Sequence, residues 1–166
     1  MAAHMHSHHP HHHHAADTAA PGLNRVALSA TVHCLTGCAI GEVLGMVIGT
    51  ALGWGAGPTI ALAVALAFVF GYALTMLPLL RSGLAFGTAL GLAFASDTAS
   101  ITIMEVVDNL MMLAIPGAMD AGLTSLLFWA SLAVSLVIAG AFAFPVNRWL
   151  IARGRGHAVV HAFHNH

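Results

Sequence analysis

Lysine is absent from the 166-residue chain, and charged residues make up only 7% of it, against about a quarter in soluble domains. Its few arginines are scattered and form no basic stripe, which excludes a nucleic-acid partner. Cys34 and Cys38 are the only cysteines, too few for a disulfide framework, and their spacing inside an apolar run speaks of a local thiol pair. No phosphate-binding loop, ATPase domain, nucleophilic triad, quinone or haem signature occurs, so the chain does not read as an enzyme. What is plentiful is apolar: 58% of the residues are hydrophobic, and lipid is the solvent that composition fits.

A hydrocarbon core of roughly 30 Å takes about 20 apolar residues as helix, and such a helix satisfies its own backbone polar groups. Four stretches qualify, predicting an all-α polytopic membrane protein with four transmembrane helices over 25–153. The first runs from about Val26 to Leu52, too long for a signal-peptide core, so it is expected to stay as a span. The second covers Thr59 to Leu80, with Pro58 suited to open it. The third runs from Leu84 to Ile115, long enough to call for tilt, a kink near Ser96-Asp97-Thr98 or an end that leaves the hydrocarbon. The fourth covers Leu123 to Phe144, and beyond Pro145 an amphipathic C-terminal extension, Val146 to Arg153, is expected at the interface.

Arg25, Arg81, Arg148, Arg153 and Arg155 all fall on one side of such an arrangement, while the connections 53–58 and 116–122 carry no basic residue. The positive-inside rule then places both termini in the cytoplasm, with membrane lipid as the surrounding partner. The segments 1–24 and 154–166 have too little apolar surface to fold alone and read as disordered tails. They hold twelve of the thirteen histidines, a density that chelates transition metals. A purification tag is the other reading of the N-terminal run; Ser7 and Pro10 interrupt it, and the C-terminal histidines lie outside its reach.

Within the spans, Cys34, Cys38, Glu42 and Met46 recur every fourth residue and form one slowly drifting stripe, with His33 beside its inner end. Thiolate and thioether sulfur are soft ligands that favour Cu(I), and imidazole serves copper, zinc and nickel. The alternative is ordinary packing, since free cysteine is among the most buried residue types. On the third helix Asp97, Met104, Asp108 and Met112 approximate one face, with Ser100 flanking and Glu105 and Asn109 beside it. Ionised carboxylates cost on the order of 2.5 to 3.5 kcal/mol in hydrocarbon, and no intramembrane Lys or Arg is there to pair with them. A proton, a metal ion or water is their natural partner. By depth, His33, Cys34 and Cys38 fall in the inner half, Glu42 and Asp97 near the middle, and Met104, Glu105, Asp108 and Met112 farther out, a sulfur and carboxylate track. The bland reading is that Glu105, Asp108 and Asn109 mark a helix end among headgroups.

Beside the stripe, Gly37, Gly41, Gly45, Gly49 and Gly53 make helix one glycine-ridged, and glycine at this spacing lets another backbone approach closely. The expected partner is helix three of the same chain or helix one of a second copy, the latter giving a homo-oligomer.

The strings His33-Cys34, Thr36-Gly37-Cys38, Gly41-Glu42, Met104-Glu105, Asp108-Asn109, Pro116-Gly117-Ala118-Met119 and Asn147-Arg148-Trp149-Leu150 resemble a family of small bacterial membrane proteins catalogued only as a domain of unknown function. The resemblance covers about Ala30 to His161. It implies a bacterial source, hence the inner membrane, and four spans; it brings no catalytic residue.

The residues themselves point to a membrane protein that binds and translocates a soft transition-metal ion, copper foremost, with no other cofactor. An accessory or structural subunit that docks another membrane protein through its ridge, its carboxylates protonated, is the alternative. A thiol redox enzyme using Cys34 and Cys38 is a third reading.

Overall fold

The computed structural model describes residues 19–153, and the histidine-rich tails outside 19–153 lie beyond the described residues. Four α-helices follow one another: α1 Ala19–Ala51, α2 Ala56–Arg81, α3 Phe86–Ala114 and α4 Leu126–Ala152. All four are long and apolar enough to cross a membrane. At 1.5 Å per residue their 26 to 33 residues span about 39 to 50 Å, more than the hydrocarbon thickness. Leu28, Val32, Phe94, Leu110, Val137 and Phe142 point outward. That arrangement is right for lipid and wrong for water.

Short connections make the bundle run up and down, with α1 against α2, α2 against α3, α3 against α4 and α4 back against α1. Gly53 at φ +66° closes α1: its N–H bonds to the Thr50 carbonyl and the Trp54 N–H to that of Gly49, satisfying carbonyls that the helix end leaves open. Gly83 at φ +90° closes α2 in the same way through Leu80 and Leu79. Pro58 lies in the first turn of α2, where a missing N–H costs nothing. Ser125 caps α4 by accepting from the Leu127 N–H at 3.2 Å.

The interior is sorted by size rather than by polarity. Thr59, Ala63, Ala67, Gly71 and Thr75 on α2, and Ser131, Ser135, Ala139, Ala143 and Asn147 on α4, are all buried at four-residue spacing. The glycine ridge of α1 meets the first of these stripes. A Cβ added at Gly45 would stand 2.5 Å from the Ala63 Cα, and Gly41 and Gly49 face Ala67 and Thr59 as tightly. From Gly37 to Gly49 the ridge therefore packs on α2 of its own chain rather than on α3, and Gly53 meets nothing. The dimer interface expected from it is already filled.

The other neighbours are joined by side-chain hydrogen bonds. Tyr72 on α2 and Thr98 on α3 are 2.9 Å apart; because the Thr98 hydroxyl donates to the Phe94 carbonyl, Tyr72 is the donor. Ser135 on α4 donates to Asp108 on α3. Asn147 on α4 donates to Thr31 on α1 at 2.9 Å, and Arg148 donates to Asn24 at 2.7 Å.

One expectation needs correction. Pro145 does not end the fourth helix, which continues unbroken to Ala152, so the C-terminal extension is the last two turns of α4 rather than a separate interfacial piece. Asn147, Leu150 and Ile151 are buried against α1, and this packing outweighs the one backbone bond that proline removes. The third helix runs as one α-helix from Phe86 to Ala114.

Candidate functional site

The polar interior is built on α1 and α3, the diagonal pair, with α4 contributing Ser135. Cys34, Cys38, Glu42, Asp97, Met104, Glu105, Asp108 and Met112 are all buried; His33 and Met46 are half-buried. From the end of the bundle that carries the chain termini toward the opposite, loop end, they follow a clear order. Cys34 faces Ser100 and stands near Asp97. Cys38 faces Glu105, with Glu42 and Cys34 nearby. Glu42 in turn faces Asp108 and lies near Glu105. Both cysteines are free thiols.

The level of Glu42 differs from the expectation. Glu42 sits beside Asp108 and Glu105, while Asp97 belongs one step deeper, level with Cys34. The reason lies in the helix start: α1 begins at Ala19 rather than Val26, so Glu42 stands about 10 Å farther along than a count from Val26 would put it. Glu105 and Asp108 are also not a helix end. The helix runs on to Ala114, and both carboxyls are at least nine-tenths buried.

Sulfur falls into two groups. Met104 packs in the same buried cluster as Cys34 and Cys38. Met46 and Met112 belong instead to a cluster near the loop end, with Phe128, Leu132 and Met119. Met46 lies twelve residues past Cys34, about 18 Å along the axis, whereas Met104 packs beside both cysteines.

A cavity of about 290 Å³ opens at the loop end. Glu42, Glu105 and Asp108 are its deepest residues, Met46, Met112 and Met119 line it, and Trp54 and Asp120 stand near its mouth. The carboxyl oxygens of Glu42 and Glu105 are buried without a well-formed hydrogen bond. Polar groups left this way are costly unless something visits them. Among the described residues, no three His, Cys, Asp or Glu side chains form a group that could hold a metal ion by themselves. The arrangement is a graded line of carboxyl and sulfur groups and not a closed cage.

A family model described as a domain of unknown function, DUF4396, matches residues 23–156. The chain belongs to the DUF4396 family. No curated protein and no solved structure matches it. The match to DUF4396 runs from near the start of α1 through the end of α4, so the whole bundle is the family's domain.

Two residues of this DUF4396 chain were not singled out from sequence. Ser135 touches Asp108 from α4; a serine at four-residue spacing from Ser131 in an otherwise apolar span was the available signal. Met119 reaches the cavity because the 115–125 connection folds back over the bundle end. Ala118 is buried under it, Gly117 turns at φ +78°, and the Trp129 indole N–H donates to the Leu123 carbonyl at 2.8 Å. No sequence rule places a loop residue in a cavity.

Proposed function

We propose that the protein binds a soft transition-metal cation, Cu(I) foremost, and passes it through the membrane along the carboxylate and sulfur line between α1 and α3. One observation carries this reading: the loop-end cavity reaches Glu42, Glu105 and Asp108, and Glu105 faces Cys38, so the carboxylates and the Cys34, Cys38 and Met104 cluster follow one another without a gap. Sulfur selects soft ions over Mg²⁺ and Ca²⁺, which take all-oxygen shells. Ligands that are few at each level suit passage, since a conducted ion must leave each site as readily as it enters. The arginine positions support an inner-membrane protein with both termini in the cytoplasm, so the histidine-rich tails meet the ion on the cytoplasmic side and the cavity opens outside.

The test is competition for Cu(I) by the full-length chain with its tail histidines replaced by alanine. The parent should bind more tightly than the Cys34→Ser, Cys38→Ser variant. Equal affinity in the two, or none in either, would show that the cysteines are packing residues.

One observation favours the accessory-subunit reading instead. Asp108 is bonded to Ser135 and stands against Glu42, so these groups serve one another within the bundle. A chain that binds no Cu(I) would leave that reading in place.

A further inference from the structure

The loop-end cavity has a composition that the carboxylates alone do not explain. Three methionines reach it from three separate elements: Met46 from α1, Met112 from α3 and Met119 from the 115–125 connection. Methionine often fills irregular core gaps, yet here the gap remains, at about 290 Å³. Below the thioethers, Glu42 and Glu105 are only 6% and 4% exposed, and both oxygens of each lack a well-formed hydrogen bond. Those oxygens border the same cavity, and no lysine or arginine occurs between Arg81 and Arg148 to answer them from α3 or most of α4. The ionisable groups near Glu42 are Asp108 and Glu105 from α3 and the Cys38 thiol from its own helix, with the Ser135 hydroxyl bonded to Asp108 from α4 and Ala63 and Thr59 lining the cavity from α2, so every ionisable one of them is an acid. A cation or a proton completes such a set of acids, and among the described residues no three His, Cys, Asp or Glu side chains form a group for a zinc-like ion. Thioether sulfur, the donor a soft ion prefers, lines the cavity from three elements.

We propose that this cavity is the loading site of the carrier, where Met46, Met112 and Met119 strip and hold a soft monovalent ion, Cu(I) or its surrogate Ag(I), above the Glu42 and Asp108 carboxyls. The inference rests on the soft-metal reading above and adds to it the site and the side of entry. The ion enters dehydrated at thioether sulfur, is handed to the carboxylates, and from Glu105 reaches Cys38.

The test is hydrogen peroxide oxidation of the full chain carrying Cys34→Ser and Cys38→Ser, with and without Ag(I) in excess over the tail histidines, followed methionine by methionine by peptide mass spectrometry. Ag(I) should slow sulfoxide formation several-fold at Met46 and Met119 and leave Met76, which packs in a different cluster near the other end of the bundle, unchanged. A second arm measures Ag(I) uptake into vesicles by the chain with native cysteines against its Met46→Leu, Met112→Leu, Met119→Leu variant, which keeps the side-chain volume. Uptake should fall while Cu(I) affinity at the cysteines stays. Oxidation indifferent to Ag(I), or undiminished uptake by the triple variant, overturns the loading site. Because the oxidation arm contains no cysteine, protection there survives a failure of the cysteine site, and the two readings fall separately.

Discussion

Gly37 and Gly71 meet backbone to backbone: a Cβ added at Gly37 would stand 2.7 Å from the Gly71 Cα, and Ile101 closes on Gly71 from the other side, its Cδ1 2.5 Å from where a Gly71 Cβ would lie. α1, α2 and α3 are thus locked at one level with no flexible atom to yield between the two glycines. Gly37→Leu or Gly45→Leu should cost at least the ~1–3 kcal/mol typical of overpacking and lower the melting temperature in detergent. Gly87→Leu, at a position where an added Cβ meets nothing within 4 Å, is the control and should melt like the parent. Equal melting of all three variants would contradict the contact.

The arginine distribution predicts which loops face outward. Single cysteines at Gly55 and Asp120, in a chain with Cys34 and Cys38 replaced by serine, should react with an impermeant thiol reagent added to intact cells. Labelling of a cysteine at position 2 from outside would reverse the orientation.

Asn147 and Thr31 hold the last turns of α4 to α1 through a buried hydrogen bond of 2.9 Å. Asn147→Ala should destabilise by about 0.5–1.5 kcal/mol, the net worth of one hydrogen bond, since the Thr31 hydroxyl keeps its own bond to the Ala27 carbonyl. A double-mutant cycle with Thr31→Val should return a coupling on the order of 0.5–3 kcal/mol. Strict additivity in thermal unfolding would show that the two side chains act independently.

Glu42→Gln preserves shape and removes the carboxyl that the proposed path would offer a cation. Ag(I) uptake into vesicles should drop at least about tenfold, equivalent to ~1.4 kcal/mol, without a change in unfolding temperature. A variant that transports like the parent would take Glu42 out of the path.

The four spans were legible because 20-residue apolar runs have few other uses, and the turns at Gly53 and Gly83 follow from local chemistry. The partner of the glycine ridge was harder to see. A membrane bundle keeps apolar side chains on both faces, so periodicity of hydrophobicity says little about which face is inside. Size carries the information instead: Ala63, Ala67 and Gly71 repeat on α2 at the same spacing as Gly37, Gly41 and Gly45. The site was legible in its residue types and misjudged in its levels. Glu42 was matched with Asp97 because a count of depth depends on where a helix begins, and no hydropathy threshold marks the start of α1 at Ala19. The contribution of Met119 depends on a folded-back loop, which is a tertiary event.

The contact between α1 and α2 needs no polar group, whereas α3 carries Asp97, Glu105 and Asp108. Chains are made from the N-terminus, so the first hairpin can zip together on glycine, alanine and threonine before α3 leaves the ribosome. It then presents Glu42 and the two thiols along an exposed seam. When α3 arrives, each of its acids would cost on the order of 2.5 to 3.5 kcal/mol against bare lipid, and the seam offers them a place out of it. Ser135, made last, arrives on α4 to close over Asp108. The order of helices along the chain thereby puts the α1–α2 seam, with Glu42 on it, ahead of Asp97, Glu105 and Asp108 in synthesis.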